Sequence, residues 1–186
     1  MKIYKTKIPK IAMEIVSSLG SSGDIEVEGP KVPELELDLR AIIDGWLRTD
    51  ERVNEEAKDQ MDKRGLPYAE FRSVKRAIAK RDQHATGDEG LDWIMQQMVD
   101  CIVNVSPNVE EVFVADNVLK RKIHDVFIRN TVDEDQLDAE VRTKMKNLQE
   151  GTPNWEIEYQ KQMREVKKKH GLIEERDRDR NEPGRR

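Results

Sequence analysis

The side chains able to do chemistry in this chain are two clusters of cations, several paired carboxylates, three histidines and one cysteine. Residues 72–81 carry Arg72, Lys75, Arg76, Lys80 and Arg81 with no acid, a net of +5. Residues 161–170 carry Lys161, Arg164, Lys167, Lys168 and Lys169 against Glu165, a net of +4. The stretches before them are acidic, and residues 133–140 hold five acids and no base. Two arrangements follow from this segregation. Acidic and basic helices lying side by side would neutralise each other, which adds little stability but favours correct helix order. Cations turned to solvent would instead form a basic face for phosphates or for an acidic protein.

Catalytic chemistry finds less support. The carboxylate pairs Asp50-Glu51, Glu110-Glu111 and Asp133-Glu134-Asp135 read as helix-start acids, stabilised by the positive end of the helix dipole. General acid–base work would need them buried, with shifted pKa values. His84 falls in a polar connection, His124 has Lys120 and Ile128 four residues away, and His170 sits where a helix end favours positive charge. These are solvated or capping positions rather than converging metal ligands. Cys101 follows Ile94 and Met98 on an apolar stripe, the place of a small buried hydrophobe. There is no GxxxxGK[ST] and no GxGxxG. The expectation is a non-enzyme with no cofactor, no metal and no small-molecule substrate.

The elements that carry these residues follow from apolar periodicity. Ile8, Ile11, Ala12, Ile15, Val16 and Leu19 form one helical stripe at i, i+3, i+4, i+7 spacing. Leu91, Ile94, Met95, Met98, Val99 and Ile102 repeat that stripe 83 residues later. A short alternating stretch follows each, Asp24–Glu28 and Asn108–Val112, too short to build a sheet alone. A second helix carries Leu35, Leu39, Ile42, Ile43 and Trp46, matched by Leu119, Ile123, Val126 and Phe127, where offsets of 81 and 84 fit almost equally. An acid-started segment with Val53, Ala57 and Met61 is matched at 84 by Leu137, Val141 and Met145. Both halves then break at Gly-x-Pro, Gly65–Pro67 and Gly151–Pro153, where Gly ends one helix and Pro opens the next. Phe71 and Trp155 follow, again 84 apart. Self-similarity at a fixed period marks a repeat.

The expected architecture is therefore all-α, with two tandem homologous units of three to four helices each and at most a short strand pair between them. The units span residues 1–86 and 87–173, joined through the turn-forming stretch 83–90, with Asp88 capping the next helix. Whether they pack as one body is left open by the sequence. Residues 174–186 hold five acids and five arginines with almost nothing to bury, the composition of a disordered tail. Trp46, Trp93 and Trp155 lie on or beside apolar stripes, which favours core packing over a partner pocket.

Composition narrows the class further. The net charge of −5 implies no overall attraction to nucleic acid or to an anionic membrane, though local patches can provide one. A lone cysteine forms no internal disulfide and suits a reducing compartment. No stretch approaches a membrane-spanning length of apolar residues, and the lysine-rich start lacks a continuous apolar core or a small-residue cleavage pattern. The expected location is cytoplasmic.

Several stretches resemble domain-of-unknown-function family 507, an uncharacterised bacterial family. They are Met1–Lys5, Lys7–Ala12, Gly23–Val27, Leu47–Arg52 through Ala57–Asp59, Glu110–Phe113, Leu137–Arg142 and Glu150–Tyr159. The resemblance covers roughly residues 1–172. It implies a bacterial cytosolic helical protein and carries no activity, cofactor or site residue. The expected function is a small adaptor or regulator that binds a larger protein machine, or one that self-associates. The alternative is an RNA- or ribosome-associated factor using the two basic helices and the arginine-bearing tail.

Overall fold

The computed structural model describes residues 3–130, 134–145 and 152–173. Among them are seven α-helices: α1 (Ile8–Ser21), α2 (Val32–Arg64), α3 (Phe71–Arg81), α4 (Gly87–Asp100), α5 (Asp116–Asn130), α6 (Glu134–Lys144) and α7 (Pro153–Lys169). The strands are β1 (Ile25–Glu26) and β2 (Glu111–Val112), which pair antiparallel with Ile25 opposite Val112. The all-α reading with one short strand pair is the observed class. None of the helices among the described residues is long and apolar enough to cross a membrane.

Each α1 residue on the sequence stripe is buried, from Ile8 to Leu19. On α4, Ile94, Met95, Met98 and Val99 are buried, and a π-helical turn, Cys101–Val105, continues the helix and buries Cys101 and Ile102. Gly23, at φ +68, turns the chain out of α1, a conformation that costs glycine little. Behind that turn Asp24 is buried, and Ser22 and Lys122 of α5 both donate hydrogen bonds to its carboxylate. These bonds, Lys122 first, hold the Asp24 carboxyl below the usual carboxylate range.

Helix α2 corrects the expected segmentation. The acid-started segment at Asp50 is the middle of one continuous 33-residue helix. No proline interrupts it, and Thr49, which could have capped a new start, bonds back to the Gly45 carbonyl at 3.1 Å. The helix ends where Gly65 adopts φ 62 and Leu66 N–H returns to the Met61 carbonyl at 3.0 Å, a glycine C-terminal stop. Asp50-Glu51 therefore lie inside a helix, and Glu110-Glu111 lie at the strand pair rather than at a helix start. Asp88 sits in the first turn of α4 while Thr86 takes the cap position, with no side-chain cap bond.

Packing divides the chain differently from the sequence halves. One compact unit runs from Ile8 to Asn130, and the other combines Met1–Lys7 with Thr131–Arg186. The expected boundary near 86 thus lies within the first, because α4 packs on α2 and on α5 rather than opening a separate core. That connection is also fastened locally. The Trp46 indole N–H donates to the Ala85 carbonyl at 3.0 Å, and a Cβ at Gly90 would stand 2.5 Å from the Trp46 ring, so only glycine fits there.

The other unit is built on α6 and α7. Leu137, Val141, Met145, Val166 and Leu172 form its core, completed by Tyr4 and flanked by Trp155, Tyr159 and Met163. Thr6 Oγ1 donates to the Gly171 carbonyl at 2.8 Å, so the start of the chain is held by the end of α7. Helix α7 opens with Thr152 capping Trp155 N–H at 3.2 Å and Pro153 in the first turn. Gly151, Asp133 and the charged stretch 174–186 lie outside the described residues.

Candidate functional site

Helix α3 packs on the C-terminal half of α2 through Val53, Ala57, Ile78 and Ala79, with Phe71 and Val74 alongside. That contact decides which cations turn inward. Lys75 Nζ reaches Asp50 at 3.0 Å to Oδ1 and 3.2 Å to Oδ2. The Arg81 guanidinium grips Glu56 with both branches, at 2.7 and 2.8 Å, while its Nε donates to Asp82 at 2.6 Å. Arg52 reaches the other Asp82 oxygen at 2.9 Å. These contacts, led by Arg81, hold the Glu56 and Asp82 carboxyls below the usual carboxylate range.

The remaining cations of α3 do something else. Arg72, Arg76 and Lys80 are all exposed and follow one another at i, i+4, i+8, the spacing of a single stripe on a helix. No acid stands three or four residues from any of them, and none has an ion-pair partner among the described residues. Tyr68, four residues before Arg72, is 84% exposed, and its ring stacks on Phe71 at 5.9 Å with an interplanar angle of 5°. The charge pattern alone does not reveal Tyr68, which lies in the 3-10 turn Tyr68–Glu70 that leads into α3.

On α7 the second basic cluster is also divided. Lys169 Nζ and His170 Nε2 each lie 2.9 Å from a Glu140 oxygen, and with His170 the larger influence the Glu140 carboxyl falls to about 2. Lys161 pairs with Glu158 on its own helix at 3.5 Å. The Lys167 ammonium stands 5.9 Å from the Tyr4 ring centre, within cation–π range. Arg164 and Lys168 are exposed. On α3, then, Lys75 and Arg81 are neutralised by α2 while Arg72, Arg76 and Lys80 are exposed.

The other reactive types are placed as follows. His84 is not solvated: its side chain is only 6% exposed, its ring lies 5.3 Å from Trp46, and its Nε2 approaches Asp50 to 3.4 Å without hydrogen-bond geometry. His124 is half-exposed beside Asp125. Cys101 is buried and its thiol is pushed up to about 11 by burial, which keeps it protonated and a poor nucleophile. Trp155 stacks on Tyr159, whereas Trp93 is 42% exposed and not a core residue. Its stripe position is at the edge of the α4 apolar face, beside rather than on the buried Ile94 and Met98. No three His, Cys, Asp or Glu side chains converge to hold a metal among the described residues.

One feature is invisible in the linear pattern. An open groove of about 640 Å³ runs between α1 and β1, with Val16, Ile25, Val27, Val32 and Phe113 supplying apolar walls. Phe113 is 55% exposed at its rim. Ser17, Gly20 and Ser21 keep the α1 side low, and Glu26 and Glu36 are the charged members of the lining. The groove exists because β1 pairs with β2: Phe113 N–H donates to the Asp24 carbonyl at 2.8 Å and Glu110 N–H to the Glu26 carbonyl at 2.8 Å. That pairing brings a residue from the second half of the chain onto the first. An apolar cleft with a few acidic groups suits docking of an apolar side chain with a cation nearby.

Residues 1–172 match the family described as Protein of unknown function (DUF507). The chain belongs to that family. No curated protein matches this DUF507 member. Its family match takes in both the groove and the two basic helices, from Val16 to Lys169.

Proposed function

We propose that this protein is a non-catalytic cytosolic adaptor or regulator that docks a segment of a larger protein in the α1–β1 groove. The observation that carries the reading is the groove itself, with Phe113 standing exposed at the rim of a cleft walled by Val16, Ile25, Val27 and Val32. Acidic Glu26 and Glu36 in the lining favour an apolar anchor flanked by a lysine or arginine. Cys101 is buried, with its thiol pushed up to about 11, and so is a poor nucleophile, which supports binding over thiol catalysis. The lone cysteine supports a reducing compartment.

Gly20 provides the test. It is helical, and a Cβ there meets nothing within 4 Å, so Gly20→Leu fills the groove while improving helix propensity. Tagged wild-type and Gly20→Leu protein are used to capture partners from the source cells, with and without nuclease, at two salt concentrations. The reading expects one protein partner that survives nuclease and high salt with wild type and is lost with Gly20→Leu. Equal capture by both proteins, or loss of everything on nuclease treatment, overturns it. Light scattering on the purified protein separates the self-association alternative, which a stable dimer lost in Gly20→Leu would favour.

A further inference from the structure

The outer face of α3 is independent of the groove and has a different chemistry. Lys75 and Arg81 are taken by Asp50 and Glu56, so their charge is spent within the fold. Arg72, Arg76 and Lys80 are left as a row of three exposed cations with no acid in reach along the helix. Successive members are about 6 Å apart along the axis, four residues at 1.5 Å each. Just before the row, in the 3-10 turn Tyr68–Glu70 that leads into α3, Tyr68 is 84% exposed, with its ring parallel to that of Phe71 at 5.9 Å.

We propose that this face binds single-stranded nucleic acid, with Arg72, Arg76 and Lys80 taking phosphates of the backbone and Tyr68 stacking on an unpaired base. A row of cations alone would serve any polyanion; the exposed aromatic in the turn just before it is what favours a ligand carrying both phosphates and π-faces. Acidic peptides offer the charge but no ring to match Tyr68. Duplexes keep their bases stacked inward, out of reach of the ring. Phosphates and base faces are common to RNA and DNA, so single strands of both are expected to bind. The negative net charge makes the contact local, with weak affinity and steep salt dependence.

Fluorescence anisotropy of the full chain with labelled 12-nucleotide mixed-sequence RNA, the same DNA strand, its duplex, and a poly-glutamate peptide tests this. Wild type is expected to bind both single strands with Kd between about 10⁻⁶ and 10⁻⁴ M, and the duplex and peptide more weakly. Replacing Arg72, Arg76 and Lys80 together with Gln leaves the circular dichroism unchanged, because none is paired among the described residues. It lowers the slope of log K against log salt by about 2, at roughly 0.7 per phosphate contact. Tyr68→Ala weakens binding about tenfold with the slope unchanged, as loss of stacking requires. Lys58→Gln, an exposed cation on α2, changes neither. No binding to single strands, binding that survives the triple substitution, or poly-glutamate binding as tightly with Tyr68→Ala silent would each overturn the proposal.

Discussion

The α2–α3 and α6–α7 helix pairs solve one packing problem with different side chains. Glu56 and Glu140 are 84 residues apart, and each holds a cation from the end of the helix packed against it, Arg81 in one case and Lys169 with His170 in the other. Phe71 and Trp155 are separated by the same interval, as are Lys75 and Tyr159. At that last pair the chemistry diverges. Lys75 makes an ion pair with Asp50, whereas Tyr159 donates a hydrogen bond to Asp138 and stacks on Trp155. The α2–α3 core is small and aliphatic, centred on Val53, Ala57, Ile78 and Ala79. The α6–α7 core is larger and draws in Tyr4 from the start of the chain. A tight aliphatic seam lets α3 satisfy its inward cations on α2 and leave a clean basic row outside. The α6–α7 core, flanked by Trp155 and Tyr159, is completed by the Tyr4 ring, which also meets Lys167.

The strongest way to break this contrast is Tyr4→Ala. Tyr4 is 8% exposed, and truncating a buried aromatic of this size costs about 3 kcal/mol. Amide exchange should show protection lost in α6 and α7 while α1 and α5 keep theirs; equal loss everywhere would mean that the aromatic seam is not a separate core. Next in size is Ala57→Leu. Ala57 is fully buried in the small seam, so the added bulk should cost about 2 kcal/mol in a denaturant titration. A neutral effect would show that the α2–α3 seam has room to spare.

The smallest effect concerns the shared acid clamp. In the folded chain the Glu140 carboxyl lies at about 2 against an ordinary 4.5. Its pairing therefore contributes fully above pH 4.5, and the contribution fades as pH falls from there through about 2. Thermal melts of wild type and Glu140→Gln should differ at pH 6 and converge by pH 2. A gap that stays constant over that window would show that the Lys169 and His170 contacts add nothing through charge, as exposed pairs often do.

Much of the helical framework is legible in the sequence. The stripe Ile8–Leu19 is buried at each apolar position, and Gly65 before Pro67 stops α2 in the way glycine and proline lead one to expect. What escapes is set by long-range contact. Asp50-Glu51 look like a helix start because acids favour that place, yet nothing stops α2 from running through them. His84 looks like a linker residue because its neighbours are polar, and only the fold puts it against Trp46 and Asp50. The basic clusters are plain in the sequence, but which cations are neutralised depends on the acids that α2 and α6 present to them. The groove depends on pairing Ile25 with Val112; the sequence marks both alternating stretches as a short strand pair, but not the cleft that their pairing leaves beside α1.

The proposed adaptor role requires a partner segment to dock beside Phe113. Its most direct test places a photo-crosslinking phenylalanine analogue at position 113, where the side chain is already exposed, and irradiates the source cells. The account expects one discrete protein crosslink that resists nuclease and disappears when Gly20→Leu fills the groove. No crosslink from position 113, or one that persists unchanged with the groove filled, would contradict it.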